Sequence, residues 1–239
     1  MSAVLPISVD EAASLADEFE SRPAEDLVRW TAERFGERAV LTCSWQKQSS
    51  VLVHMLSEVA PQLRVVEFDT GLLFPETYDT RERLIARYPI KFERIEPELT
   101  VEQQAAAHGA RLWERDPDAC CGMRKVAPLE QALRGMDAWI TGIRREQSTT
   151  RQNARKIEVD DRRGVVKVQP LADWTSRDVW RYIWRHGIPY NTLHDHGYPS
   201  IGCMPCTTSV NGTSSDERAG RWRGTGKIEC GLHGRGGHD

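Results

Sequence analysis

Two closely spaced pairs of cysteines are the residues of this chain with the clearest chemical potential. Cys120 and Cys121 are adjacent, and Cys203 and Cys206 belong to a Cys-x-x-Cys motif. Adjacent cysteines form only a strained disulfide, because the trans peptide between them holds their side chains apart. Four thiolates suit one tetrahedral zinc ion or one cubane iron–sulfur cluster. The direct Cys-Cys pair departs from the usual zinc spacing and suits the larger cluster, but spacing leaves both open.

The remaining two cysteines have different surroundings. Cys43 lies in an apolar run and is predicted to be a small core residue. Cys230 lies near a glycine-rich end of the chain, where positive charge would lower the thiol pKa and favour a nucleophilic thiolate, although Glu229 opposes this. The basic residues near it are Arg221, Arg223, Lys227 and His233. The alternative is a tail cysteine without a role.

The elements that position these residues alternate between short apolar runs and amphipathic stretches. Strands are predicted over 39–43, 63–68, 91–95, 138–141 and 165–168, and helices over 8–20, 23–36, 51–56, 75–87 and from residue 175 onward. This alternation predicts an α/β fold: a mostly parallel sheet with helices on both faces. Residues 1–206 are expected to form the nucleotide-binding domain with the metal site. Residues 207–239, poor in apolar residues, are expected to form a mobile C-terminal segment carrying Cys230.

Polar residues follow the predicted strands, where parallel sheets bind ligands. Residues 44–49 connect a strand to a helix N-terminus and suit a phosphate, although the Walker A pattern is absent and a simple connection is an equal alternative. Residues 69–71 follow the second strand. The basic stretch 142–164 fits either a solvated surface or an anion-gripping loop.

Composition narrows the class of protein. A net charge of −3 predicts no nucleic-acid or membrane partner, and no apolar run reaches the roughly 20 residues that a membrane helix needs. Residues 1–10 carry no signal-peptide pattern, so a cytoplasmic location is expected. In that reducing compartment, clustered cysteines are more often metal ligands or catalysts than disulfides.

Several segments together carry a family resemblance. They are residues 68–71, 120–125, 141–148, 170–174, 200–206, 218–222 and 229–233. On these segments the chain resembles the iron–sulfur type of assimilatory adenylyl-sulfate (APS) reductases, in the PAPS reductase or PP-loop (adenine nucleotide α-hydrolase-like) family. The resemblance runs from about the first strand to the tail. It implies the PP-loop fold and reduction of APS to sulfite and AMP, in sulfate assimilation and cysteine biosynthesis.

The resemblance also implies roles for individual residues. Cys120, Cys121, Cys203 and Cys206 would hold a [4Fe-4S] cluster, and Cys230 would be the nucleophile. Phosphate and sulfate contacts would fall on Lys125, Arg218, Arg221 and His233, with Arg144 and Arg151 matching less closely. Ser44, Thr70 and Gly142 would line the adenosine pocket. A Cys230 thiosulfonate would be resolved by thioredoxin or a glutaredoxin-like protein. A homo-oligomer is left open.

Three alternatives remain beside this interpretation. A PAPS reductase or a dual-specificity enzyme is the nearest, although sister enzymes that prefer PAPS generally lack the cluster cysteines. A cluster-bearing tRNA thiolase would cleave ATP, yet residues 44–49 depart from the Ser-Gly-Gly-x-Asp-Ser pattern of ATP-cleaving relatives. A zinc-stapled nucleotide-binding module is the non-enzymatic alternative.

Overall fold

The computed structural model of the chain describes residues 5–210 and 216–233, and within them a six-stranded sheet forms the centre. The strands are β1 (Ala39–Cys43), β2 (Arg64–Phe68), β3 (Phe92–Ile95), β4 (Ala138–Ile140), β5 (Ile157–Asp160) and β6 (Val165–Val168). Their order is β3-β2-β1-β4-β6-β5, and every neighbouring pair is parallel except β5 with β6. The predicted mostly parallel sheet is confirmed.

Successive residues of the central strands pack into different hydrophobic clusters. Leu41 and Ile140 belong to the larger cluster, whereas Val40 and Trp139 belong to a second one. Because adjacent strand residues point to opposite faces, the two clusters lie on opposite sides of the sheet. The predicted helical cover on both faces is therefore also confirmed.

Nine α-helices surround the sheet in the described part of the chain. They are α1 (Val9–Phe19), α2 (Ala24–Phe35), α3 (Lys47–Val59), α4 (Pro75–Arg87), α5 (Val101–His108), α6 (Leu112–Arg115), α7 (Pro117–Cys121), α8 (Ala127–Ala132) and α9 (Ser176–His186). A π-helical turn, Gly122–Val126, joins α7 to α8. Side-chain caps begin two of these helices: the Ser8 hydroxyl accepts from the Glu11 amide at 3.0 Å, and Thr175 forms a capping box with Asp178.

The structure differs from the predicted pattern in three places. Helix α3 begins at Lys47 rather than at residue 51. The residues of its first turn are buried although they are polar, so the apolar pattern did not include them. Helices α5 to α8 were not predicted, since with four to eight residues each they are too short to establish an apolar period. The basic stretch 142–164 contains strand β5, where the apolar alternation amounts to Ile157 and Val159 alone.

The described part of the C-terminal segment lies against the body of the protein. Thr207 forms an antiparallel bridge with Arg221, and both Trp222 and Cys230 are buried. Residues 211–215 and 234–239 lie outside the described residues, so the predicted mobility of 207–239 stays a prediction. None of the described helices has the length and apolar character needed to cross a membrane.

Candidate active site

A pocket of about 1030 Å³, counting its mouth, opens where β1, β2 and β4 end. In the sheet, β2 and β3 lie on one side of β1, and β4 lies on its other side. This reversal of strand order is the place where open α/β sheets bind ligands. The lining includes three residues that follow these strands and were predicted to contact adenosine, namely Ser44, Thr70 and Gly142.

The loop after β1 is held in a fixed shape at the pocket floor. The Ser44 amide donates to the Ser49 hydroxyl at 3.1 Å, and the Ile201 amide donates to the side-chain oxygen of Gln46 at 2.8 Å. Trp45 adopts a left-handed backbone (φ 56°), a conformation that is costly for a bulky residue, and its indole donates to Glu67 at 2.6 Å. The loop therefore presents hydroxyls and the N-terminus of α3 to the pocket.

A second, smaller cavity lies next to the first and collects the four paired cysteines. Cys120 and Cys121 reach it from α7, and Cys203 and Cys206 reach it from the loop after residue 199. Its other lining residues are Leu72, Trp113, Pro117, Arg124, Lys125 and Trp222. The structure thus brings together two pairs of thiols that lie more than 80 residues apart in the sequence.

The four thiols that line this cavity are of the residue type that binds a metal cluster. All four cysteines are free thiols, and burial raises the pKa of Cys120, Cys121 and Cys206, the last to about 11. Two neutral groups face the sulfurs: the Thr70 hydroxyl lies 3.3 Å from Cys203, and the Gln104 amide donates to Cys120 at 3.6 Å. In residues 5–210 and 216–233, no three His, Cys, Asp or Glu side chains converge on a single ion position.

Cys230 lies in the larger pocket rather than in the cysteine cavity. Burial raises the pKa of its thiol, but the charges of Lys125 and Arg218 and a hydrogen bond from the Leu232 backbone outweigh burial and hold the pKa below its ordinary value. Cys230 also packs on Cys121 and Trp222. A thiol with thiolate character therefore lies at the boundary between the two cavities.

Lys125 connects the two cavities, because its side chain lines both. Although burial lowers the pKa of the Lys125 ammonium, the neighbouring Cys203, Cys230 and Cys121 sulfurs raise it above its ordinary value. The π-helical turn places Lys125 four residues after Cys121 and on the same side of the segment. A positive charge is therefore held between the predicted cluster ligands and the predicted nucleophile.

Four further predicted substrate contacts line the larger pocket: Arg151, Arg218, Arg221 and His233. Arg221 donates to the Ile201 carbonyl at 3.2 Å and lies over Trp222 at 4.5 Å. His233 stacks on Trp139 at 5.1 Å, and burial, aided by Lys167 and Arg151, holds the pKa of its imidazole well below the ordinary value. The pocket thus combines permanent guanidinium charges with a neutral imidazole.

Arg144 is the one predicted contact that the structure does not place in the pocket lining. Its side chain is fully buried, and its guanidinium donates to Glu217 at 2.6 Å, to Glu146 at 3.1 Å and to the Trp174 carbonyl at 3.3 Å. Glu217 itself lines the pocket. The guanidinium therefore meets protein carboxylates, and a direct contact between Arg144 and substrate stays a prediction.

Acidic partners are the site residues that the sequence pattern did not indicate. Glu217 also accepts from Lys47 at 3.1 Å, and Glu229 accepts from Arg151 and from Arg218 at 2.9 Å. Both belong to the described part of the C-terminal segment. Glu217 directly precedes Arg218, and Glu229 directly precedes Cys230, both of which were singled out from the sequence. An acidic residue within a basic stretch is the sequence feature that could have indicated these two partners.

Fold and site together define a doubly wound α/β protein with a thiol and several cations in a switch-point pocket. The sequence pattern of the phosphoadenosine phosphosulfate reductase domain matches residues 38–209. An adenosine 5′-phosphosulfate reductase of Geobacillus kaustophilus is 46% identical over 224 residues, covering 93% of this chain and 95% of that protein. One of Oceanobacillus iheyensis is 48% identical, covering 90% of this chain and 89% of that protein.

A solved structure agrees with these relatives. The phosphoadenylyl-sulfate (PAPS) reductase of Candida auris, in its phosphate complex, superposes with a TM-score of 0.77 at 29% identity, covering 87% of this chain and 100% of that one. The chain therefore belongs to the phosphoadenosine phosphosulfate reductase family. The resemblance inferred from the sequence segments is confirmed.

Proposed function

We propose that the protein reduces adenylyl sulfate to sulfite and AMP. The observation that carries the proposal is the position of Cys230 in a pocket at the ends of β1, β2 and β4, which Lys125 and three arginines also line. Relatives that are 46–48% identical over about nine-tenths of the chain bear the name of this activity. Cationic side chains suit a substrate that carries both a phosphate and a sulfate group.

The proposed chemistry proceeds in three displacements at sulfur. The Cys230 thiolate attacks the sulfate sulfur, the bond from that sulfur to the bridging oxygen breaks, and AMP leaves with the electron pair. The product is a Cys230 thiosulfonate. A thiolate of a dithiol protein then attacks Cys230, sulfite leaves, and the second thiol resolves the mixed disulfide. The dithiol is oxidised and the sulfate sulfur is reduced.

The side chains of the pocket have distinct parts in this proposal. Lys125, Arg218 and Arg221 neutralise the substrate oxygens and the charge that develops on the AMP oxygen. Ser44, Thr70 and Gly142 border the adenosine, while Arg151 and His233 border the anionic groups. On these assignments, residues 1–206 form the nucleotide-binding domain, and residues 207–239 carry the nucleophile together with Arg218, Arg221 and His233.

Cys120, Cys121, Cys203 and Cys206 would hold a [4Fe-4S] cluster in the second cavity. When bound, the cluster would supply a fixed charge beside Lys125 without changing its redox state. Because Lys125 lines both cavities, its ammonium would be oriented towards the substrate by the charge held on the four cysteines. Brown protein with iron and sulfide supports this assignment, and colourless protein with zinc would favour the zinc-stapled alternative.

The partners follow from the chemistry. Thioredoxin or a glutaredoxin-like protein is the proposed reductant, because a protein dithiol can both attack Cys230 and resolve the disulfide. The six free thiols support a reducing compartment, the cytoplasm. PAPS is the second candidate substrate, favoured by the fold shared with the PAPS reductase of Candida auris. Side-by-side sulfite release from APS and PAPS distinguishes the two.

Trapping the intermediate tests the proposed activity. Protein incubated with APS and no reductant is expected to gain one SO3 unit on the peptide that contains Cys230, as measured by mass spectrometry. Cys230→Ser is expected to keep its colour and to lose both the adduct and sulfite formation. AMP in place of APS is the control and should give no adduct. Full turnover by Cys230→Ser would refute the proposed mechanism.

A further inference from the structure

The side chain of Glu229, which directly precedes Cys230, accepts four hydrogen bonds. The Glu229 carboxylate accepts from Arg151 Nε and Nη2, both at 2.9 Å, so that one guanidinium grips both oxygens. Arg218 donates to it at 2.9 Å and the Thr150 hydroxyl at 3.0 Å. Its side chain is 17% exposed, so these contacts are partly shielded from water.

The chain around Glu229 shows where this attachment acts. Ile228, the preceding residue, is 67% exposed, whereas Cys230, the following one, is 8% exposed. Arg151 belongs to the loop between β4 and β5, far from residue 229 in sequence. The carboxylate therefore fastens the backbone at the point where the segment turns from solvent into the pocket.

We propose that Glu229 is the positioning residue for Cys230: its carboxylate, gripped by Arg151 and Arg218, holds the thiol in the substrate pocket. This inference rests on the proposed function only in naming what the thiol would meet there. It assigns Arg151 the part of an anchor, because that guanidinium is committed to protein oxygens. Besides Glu229, Arg151 donates from Nη1 to the Gln147 side chain at 2.6 Å.

Arg218 differs from Arg151 in having donors left over. Its Nη2 serves Glu229 and the Ile228 carbonyl, while its buried Nε has no hydrogen-bond partner within the described residues. The ring of Trp222, 5.4 Å away, further fixes the guanidinium. Glu229 thus orients one edge of Arg218 and leaves another edge free for a substrate oxygen. The carboxylate couples the position of the nucleophile to that of an anion-binding group.

Alkylation of Cys230 tests the anchor without any use of APS. Cluster-loaded protein is treated with iodoacetamide, and the rate of modification of the Cys230 peptide is followed by mass spectrometry at rising pH until it reaches a plateau. At the plateau the thiol is fully ionised, so the rate reports how often it leaves the pocket. Glu229→Gln and Arg151→Gln are each expected to raise the plateau about tenfold, and the double variant no further.

The two substitutions separate anchoring from simple electrostatics. Removal of the Glu229 carboxylate lowers the pKa of the Cys230 thiol, and removal of the Arg151 guanidinium raises it. A purely electrostatic role would therefore move the midpoints of the two pH–rate profiles in opposite directions and leave the plateau rates unchanged. That result would overturn the proposal. Arg223→Gln, which removes an exposed charge from the same segment, is the matched control and should alter neither quantity.

A second measurement connects the anchor to the reaction. At saturating APS, the Glu229→Gln and Arg151→Gln variants are expected to form the SO3 adduct several-fold more slowly, because the sulfur is less often in position. If the unaltered protein forms no adduct, the proposed function fails while the alkylation result still stands by itself. If alkylation is unchanged, the anchor fails whatever the activity.

Discussion

His194, a half-buried residue beside the first turn of α3, reports the local electrostatics at the scale of single residues. His194 accepts the Lys47 amide hydrogen at 3.2 Å and lies 2.7 Å from the Tyr198 carbonyl, so one ring nitrogen accepts and the other donates. Burial, with the positive charge of Lys47, lowers the pKa of the imidazole from 6.5 to about 4. A protonated ring could not accept the Lys47 hydrogen bond, so the loop that starts α3 requires neutral His194.

This requirement predicts an acid sensitivity with a definite sign. Between pH 6.5 and 4 the unfolded chain binds a proton at His194 and the folded protein does not, so the free energy of unfolding decreases as pH falls through that range. The contribution of His194 to the free energy of unfolding is about 3 kcal/mol at most. His194→Gln is expected to remove this part of the slope in urea denaturation, because glutamine does not titrate.

The other histidines remain in both proteins, so the difference between the two pH profiles isolates His194. His196→Gln serves as the control, because His196 is exposed and two residues away. Its profile should follow that of the unaltered protein. An identical slope in His194→Gln would show that the imidazole is protonated in the folded state, against the hydrogen bonds described above.

Some residue roles at this scale could be predicted from the sequence and others could not. The cysteines were identified because their type and spacing carry chemistry by themselves, whereas Lys125 was indicated only by the family resemblance. Glu217 and Glu229 were not assigned roles, because their partners Arg144 and Arg151 lie 73 and 78 residues away in sequence. Pairings of that separation depend on the tertiary fold, and a single sequence does not display them.

At the scale of elements, apolar runs were sufficient to predict the central strands. β1 and β6 have the predicted bounds, because four residues of each strand are buried and the runs are mostly apolar. β5 was missed, since it lies at the sheet edge and two of its four residues are acidic. The ends of β1, β2 and β4 were then enough to locate the pocket, but the second cavity required the unpredicted α7.

The loop from residue 200 to 206 positions Arg221 through the absence of a side chain at Gly202. A Cβ atom at this position would overlap the Arg221 guanidinium, which is anchored on the Ile201 carbonyl. Because that guanidinium can move, Gly202→Ala is expected to displace Arg221 with little loss of stability. Affinity for AMP should fall about tenfold, as measured by calorimetry, since one charged hydrogen bond is worth about 1.5–3 kcal/mol.

Gly226→Ala is the matched control, because a Cβ there meets no atom within 4 Å. Both variants should keep their colour, which shows that the neighbouring Cys203 still holds its ligand. Unchanged AMP affinity in a brown Gly202→Ala protein would mean that Arg221 does not contact the nucleotide. Loss of colour would instead mean that the loop has moved with its cysteines.

At the scale of the whole molecule, the described C-terminal residues close both cavities and are tied to three separate parts of the body. Glu217 pairs with Lys47 and Arg144 near the starts of α3 and of the loop after β4, Lys227 pairs with Asp118 of α7, and Glu229 pairs with Arg151. Trp222 lines the cysteine cavity, and Cys230 lines the pocket. The cysteine cavity, Cys230 and the described C-terminal residues are therefore joined into one packed unit.

Because these parts pack together, removal of the proposed cluster is expected to loosen the structure around the cysteine cavity rather than the whole fold. The thermal midpoint is expected to fall by about 5 °C or more, because metal binding contributes folding free energy that the apo-protein lacks. Amide hydrogen exchange should increase in α7, in residues 200–206 and around Trp222, which together surround the cavity. The strands β1, β2 and β4 should keep their protection, since their contacts lie in the two sheet-face clusters. Equal loss of protection throughout the sheet, or none near α7, would show that the four thiols do not organise this part of the fold.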